Sequence, residues 1–192
     1  MRILLTALAL SLCLAAPASV GATGDLRGVA RVGARVVADA VIWLEAPSSP
    51  APAAAEQEPL LDQRNLQFFP HVLVVRVGTT VKFPNSDRVF HNVFSFHDGK
   101  KFDLGVYPIG AVKYVKFDRA GVSRLFCNIH PGMAAYVVSV DSPYFAATDD
   151  AGAYVIHAPP GRYTYHAWRA GGMQLTGEVS VGDAASFDIQ WP

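Results

Sequence analysis

Cysteine is scarce in this chain. Of 192 residues only Cys13 and Cys127 carry a thiol. Cys13 lies in an apolar N-terminal run, so the rest of the sequence has no disulfide framework to draw on. An excess of one charge is also lacking. Sixteen Lys and Arg balance sixteen Asp and Glu, no run of like charges occurs, and the basic face that nucleic-acid binding requires is missing. Amphipathic helical periodicity is absent between Leu61 and Asp141. No unit repeats along the chain, which argues against a solenoid or propeller. The longest apolar run, Ile3 to Ala16, breaks at Pro17 and falls short of the about 20 residues that a membrane span needs.

With Arg2 ahead of it and Val20-Gly21-Ala22 behind, that run reads as a cleaved export signal over residues 1–22. No small-residue box ends at Cys13, so a lipid anchor is not expected, and Cys13 leaves with the peptide. The expected mature chain is periplasmic or secreted, has no integral membrane span, and keeps one thiol. Loss of Arg2 takes its net charge from zero to near minus one. A lone exported thiol calls for a reason, such as a metal, a nucleophilic role, an intermolecular bridge or simple burial.

What the sequence has in quantity is apolar and aromatic residues. Hydrophobic residues make up 51% of it, enough for a chain of this length to bury a substantial core. Short apolar runs such as Val72 to Val77, Thr80 to Asn85, the alternating Val112 to Phe117, Val122 to Cys127 and Ala135 to Val140 are separated by turn residues about every ten positions. That spacing predicts an all-β sandwich or barrel. Two further strands are expected at Leu26–Val32 and Val37–Leu44, and more at 153–157, 162–168, 173–181 and 186–191. Between the first pair and the rest, residues 47–60 hold four prolines among alanine and serine, a linker or long surface loop.

The chemistry is concentrated in Phe126-Cys127-Asn128-Ile129-His130-Pro131-Gly132-Met133. A thiol, an imidazole and a thioether fall within seven residues. Soft sulfur together with imidazole selects copper over hard cations, and one tight loop supplies three donors of a thiolate, two-imidazole, thioether set. His91, in Phe90-His91-Asn92, is the best candidate for the second imidazole. Zinc is a weaker fit because thioether is a poor zinc ligand. A cysteine nucleophile would need a base oriented by a third group and would leave Met133 unexplained. His71, His97, His157 and His166 have no second ligand near them in sequence and are read as structural or exposed.

At these residues the chain resembles the cupredoxins, the small blue-copper proteins of the plastocyanin and amicyanin type, over about eighty residues from Leu61 to Asp141. The pattern includes Val81-Lys82-Phe83-Pro84-Asn85, the His91-Asn92 pair, and Cys127, His130 and Met133. The gap from His130 to Met133 is similar to the short amicyanin loop. The resemblance implies a Greek-key sandwich and one type 1 copper ion held by His91, Cys127, His130 and Met133. It also implies that Asn92 ties the two ligand loops together and that His130 reaches the surface. Pro131, Gly132, Ala134 and Ala135 would then form a weakly charged contact patch there.

The flanks resemble the two halves of a carboxypeptidase regulatory-like, or transthyretin-like, β-sandwich, with Asp149 to Gly152 and Pro159 to Tyr163 as its turns. The implied organisation is residues 23–46 and 142–192 forming that small sandwich and 61–141 a cupredoxin set into it, as in exported proteins of the methylamine-utilisation type. With no second histidine set for further coppers, the expected role is transient single-electron carriage between redox partner proteins, without enzymatic activity. A copper-binding or interaction module of the cell envelope, without electron-transfer duty, is the other reading.

Overall fold

A computed structural model describes residues 24–45, 58–96 and 98–192. The proposed signal segment and most of the proline-rich stretch lie outside the described residues. Three strands precede that stretch: β1 (Gly24–Val32), β2 (Arg35–Val36) and β3 (Val41–Glu45). Nine follow it: β4 (Asp62–Arg64), β5 (Gln67–Phe69), β6 (Val72–Arg76), β7 (Thr80–Pro84), β8 (His91–Ser95), β9 (Phe102–Tyr107), β10 (Val112–Lys116), β11 (Gly121–Phe126) and β12 (Ala134–Val140). Six more complete the chain: β13 (Tyr144–Ala147), β14 (Ala153–Ala158), β15 (Gly161–Trp168), β16 (Leu175–Val181), β17 (Ala185–Ser186) and β18 (Ile189–Trp191). The fold is all-β. Among the described residues no helix is long and apolar enough to cross a membrane.

The central strands build one sandwich. A sheet ordered β6-β12-β11-β8-β9 lies across from the β7–β10 pair and the β4–β5 hairpin. Alternation along each strand sends one set of side chains between these layers. Leu61, Val81, Phe83, Val93, Phe117 and Leu125 are buried there and form its core. Glu58, Pro59 and Leu60 run alongside β7, where Leu60 bridges Lys82 and Glu58 pairs with its ammonium.

The outer strands build a second core. β1 pairs with β14, β17 and β18, while β3 lies between β13 and β15, with β16 at the edge. Leu26, Ile42, Leu44, Ile156, Ile189 and Trp191 fill the space between. Close approach explains Gly28: a Cβ there would meet the Phe187 carbonyl oxygen at 1.9 Å. The Asp149 turn closes as its sequence suggests, the carboxylate accepting from the Ala151 and Ala153 N–H groups. The Tyr163 hydroxyl donates to the Pro159 carbonyl at 2.7 Å.

The two cores meet along a third apolar layer. Val72, Val138 and Val140 point away from the first core and Val41 away from the second, and all four are buried together with Trp43, Tyr136 and Trp168 packed around them. This double-sided burial explains the unbroken run Val72-Leu73-Val74-Val75, because a strand covered on both faces has no need to alternate. Fully burying a valine is worth about 1.5–3 kcal/mol, so the seam holds the two sandwiches firmly. His71 adds a contact with Asp39 at 3.2 Å across it.

The expected strand at Val37–Leu44 is shorter than its alternation suggests. The chain turns through Asp39, at φ +57°, before β3 begins at Val41. Thr148, 108 residues further on, takes the Ala40 N–H with its hydroxyl and gives that hydroxyl's proton to the Val37 carbonyl. A partner so distant leaves no local trace.

Candidate metal centre

The loops 85–90, 108–111 and 127–133 all emerge at one end of the central sandwich, because Pro84, Tyr107 and Phe126 end their strands there and His91, Val112 and Ala134 begin theirs. β8 starts at His91, which is paired with Tyr107 and fully buried. Cys127 follows β11 and is 8% exposed, while Met133 precedes β12 and is 3% exposed. The short loop between them is closed by two backbone bonds, Met133 N–H to the His130 carbonyl (3.3 Å) and Cys127 N–H to the Met133 carbonyl (3.4 Å). Gly132 takes φ +93°, a value that favours glycine, and so permits the tight return.

This geometry brings three donors together. Cys127 Sγ lies 4.0 Å from His91 Nδ1 and 3.9 Å from His130 Nδ1, and the two Nδ1 atoms are 3.1 Å apart. All three ligand atoms lie within 4.8 Å of one another. Three electron-pair donors facing one point at that spacing fit a metal ion, and thiolate with two imidazoles is a copper or zinc set rather than one for a hard cation. Met133 is buried in the same apolar cluster as Cys127. The remaining described histidines lie elsewhere: His71 beside Asp39, His157 beside Asp25, and His166 stacked on Trp43. His97 lies outside the described residues.

Buried polar groups frame the site. The Tyr107 hydroxyl donates to the Phe83 carbonyl at 3.1 Å and accepts from the Gln63 amide, and burial pushes its pKa well above the ordinary phenol range. Asn85 donates to the Val89 and Tyr107 carbonyls, at 2.9 and 3.2 Å, pinning loop 85–90 to the end of β9. His91 Nε2 lies 3.1 Å from Asp87 Oδ2. Sequence reasoning passed over Asp87 and Gln63. Asp87 had a signal, since it sits four residues before His91 in an Asn-Ser-Asp turn; Gln63 had none.

Two expectations need correction. The Asn92 side-chain amide donates to Asp103 Oδ1 at 2.8 Å, and its Oδ1 has no partner among the described residues. It therefore ties His91 to β9 rather than to the Cys127 loop. Ala135 is fully buried and faces the core, so it is no part of a surface patch. The exposed apolar residues at this end include Leu66, Val89, Phe90, Ile109 and Ile129; Pro131 and Gly132 are exposed and His130 is half-buried.

No protein-family model matches the chain, and no curated protein matches it. Among solved structures it is similar to a purple cupredoxin from Nitrosopumilus maritimus, at 26% identity over 43% of this chain and 99% of that one, with a TM-score of 0.40. An oxidised amicyanin variant matches at 24% identity over 53% of this chain and 99% of its own, with a TM-score of 0.41. A copper-containing nitrite reductase from Thermus scotoductus SA-01 matches at 23% identity over 48% of this chain, with a TM-score of 0.43; the match spans only 24% of the reductase.

Proposed function

We propose that this protein is a single-copper electron carrier. His91, Cys127 and His130 would hold the ion, with Met133 as the weak fourth ligand. The observation that carries the reading is the convergence of one thiol sulfur and two imidazole Nδ1 atoms at 3.1–4.0 Å at the end of a sandwich, with Cys127 and His91 buried and His130 half-buried. Copper bound there supplies one-electron chemistry, moving between its cuprous and cupric states. The chain's own part is to hold the donors still. His91 is fixed by β8, Cys127 by the end of β11, and the closed loop by its two backbone bonds, so little has to rearrange when an electron arrives. Zinc takes the same nitrogen and sulfur donors but has no redox chemistry, which is why the metal itself is the first thing to test.

His130 is the only one of the three donors that is half-buried rather than buried, and it is the natural electron port. The exposed apolar residues of the loops at its end of the sandwich, Val89, Phe90, Ile109 and Ile129, carry no charge and suit the small, short-lived contacts of redox partners. We assign no enzymatic activity. The pairing of β1 and β3 with strands after Ser142 supports a central copper sandwich set into a second one, and removal of residues 1–22 would leave a periplasmic or secreted protein. The deciding experiment is an absorption spectrum of copper(II)-loaded protein with a zinc competition. Intense visible colour that bleaches reversibly on reduction is expected. A colourless protein that prefers zinc would refute the proposal.

A further inference from the structure

The β4–β5 hairpin reaches the metal centre through a residue that is no ligand. Its tip, Asn65-Leu66, runs through left-handed backbone at both positions, with φ of +53° and +58°. Asparagine tolerates that region, but for an ordinary L-residue it costs about 1–2 kcal/mol. Leu66 stands there half exposed, where its side chain gains little in return. A two-residue hairpin turn takes positive φ at both positions, and in this one the Leu66 N–H points at Asp87 Oδ2, 2.7 Å away and 21 residues along the chain.

Asp87 is held from several sides. Its Oδ1 accepts from the Arg88 N–H at 2.8 Å, and its own N–H donates to Asn85 Oδ1 at 3.1 Å. Asn85 is itself buried and bonded to the Val89 and Tyr107 carbonyls. Only 14% of the Asp87 side chain is exposed, and Oδ2 lies 3.1 Å from His91 Nε2. The Leu66 N–H donates to Oδ2 and the Arg88 N–H to Oδ1, so the Asp87 carboxylate meets His91 as an acceptor. A carboxylate can only accept. A neutral imidazole carries one N–H, and when that proton sits on Nε2 the lone pair is left on Nδ1. In His91 that lone pair faces Cys127 Sγ and His130 Nδ1.

We propose that Asp87 is a positioning residue: clamped by the hairpin tip, it fixes the Nε2–H tautomer of His91 and so presents the Nδ1 lone pair to the metal position. The consequence for copper rests on the electron-carrier reading; the tautomer does not. A carboxylate behind a ligating histidine also raises the basicity of the ligand, and loss of such a partner typically weakens metal binding about 10–100-fold. The cupric state, with the higher charge, gains more from that basicity than the cuprous state.

The first test needs neither metal nor variant. Long-range proton–nitrogen NMR of the metal-free protein should show the His91 proton on Nε2, and the Leu66 amide should exchange slowly despite sitting at an exposed tip. The second test is Asp87→Asn, which keeps the shape and removes the charge. It should bind copper(II) about 10–100-fold more weakly with a smaller loss for copper(I), so its midpoint potential rises, and the Leu66 amide should exchange faster. A His91 proton on Nδ1 in the metal-free wild type would overturn the proposal. So would an Asp87→Asn protein whose tautomer, copper(II) affinity and potential all stay at wild-type values. A wild type with the Nε2–H tautomer that nevertheless takes no copper would support the clamp and sink the electron-carrier reading alone.

Discussion

Nδ1 of His91 and Nδ1 of His130 face each other at 3.1 Å, although 39 residues separate them in sequence. The contact is made by two different devices, the start of a strand on one side and a seven-residue loop on the other. It leaves the two rings in unequal surroundings. His91 is fully buried and bonded to Asp87, while His130 is half-buried with its loop at the surface.

That inequality gives a prediction about access. Replacing His130 by glycine should open a hole to solvent that added imidazole can refill, restoring the visible band. His91→Gly should leave a sealed cavity that imidazole does not reach. Titration of both copper-loaded variants with imidazole distinguishes them, and equal rescue would show that the burial difference does not hold in solution.

The sulfur ligands should separate by role. Cys127→Ser exchanges a soft thiolate for a hydroxyl and should abolish the colour, since the intense band depends on charge transfer from sulfur. Met133→Leu keeps the apolar volume and removes only a weak donor, so the colour should persist while the potential rises, the axial ligand being one of the levers on it. Metal loss in Met133→Leu, measured by copper content after dialysis, would mean that Met133 is not a weak axial ligand.

The legible part of this molecule is the part whose chemistry is local. Cys127, His130 and Met133 share one loop, so their types and spacing speak directly, and short apolar runs between turn residues mark β6, β7, β10, β11 and β12 to within a residue or two. The β4–β5 hairpin was not legible, because its turn is Asn65-Leu66 and lacks the glycine that normally announces such a turn. Asp87 depends on a donor 21 residues away, and the break before β3 depends on Thr148. Ala135 looked like a surface residue until the pairing of Leu125 with Ala135 set the phase of β12 and turned it inward.

The seam between the sandwiches should behave as a separable interface. Val138 is 2% exposed and belongs to the layer shared by both sandwiches rather than to either core. Val138→Asp puts an unpaired charge there, which costs about 3–5 kcal/mol when nothing compensates it. The thermal unfolding of the copper-loaded protein should then divide into two calorimetric transitions, with the visible band following only one of them. A single transition that takes the colour with it would show that the two sandwiches fold as one unit.

The last prediction concerns alkaline stability and uses one tyrosine from each core. Tyr107 is 1% exposed and Tyr154 is 3% exposed; their hydroxyls donate to the Phe83 and Phe187 carbonyls. Burial is the largest cause raising both pKa values well beyond the ordinary phenol value, with Asp188 adding to the effect at Tyr154. The folded chain therefore keeps both protons at a pH where the unfolded chain releases them. The contribution is fully present below the unfolded value of about 10 and declines above it. The slope is about 1.4 kcal/mol per pH unit for each phenol, so two together should make the metal-free protein lose stability steeply between about pH 10 and pH 11.5. Urea unfolding across that range measures the slope, and Tyr107→Phe and Tyr154→Phe should each remove about half of it. The substitutions themselves leave a carbonyl acceptor unpaired and should lower stability at neutral pH by about 1–3 kcal/mol. If the alkaline slope is the same in wild type and both variants, these phenols ionise within the folded protein and neither core excludes water as the structure indicates.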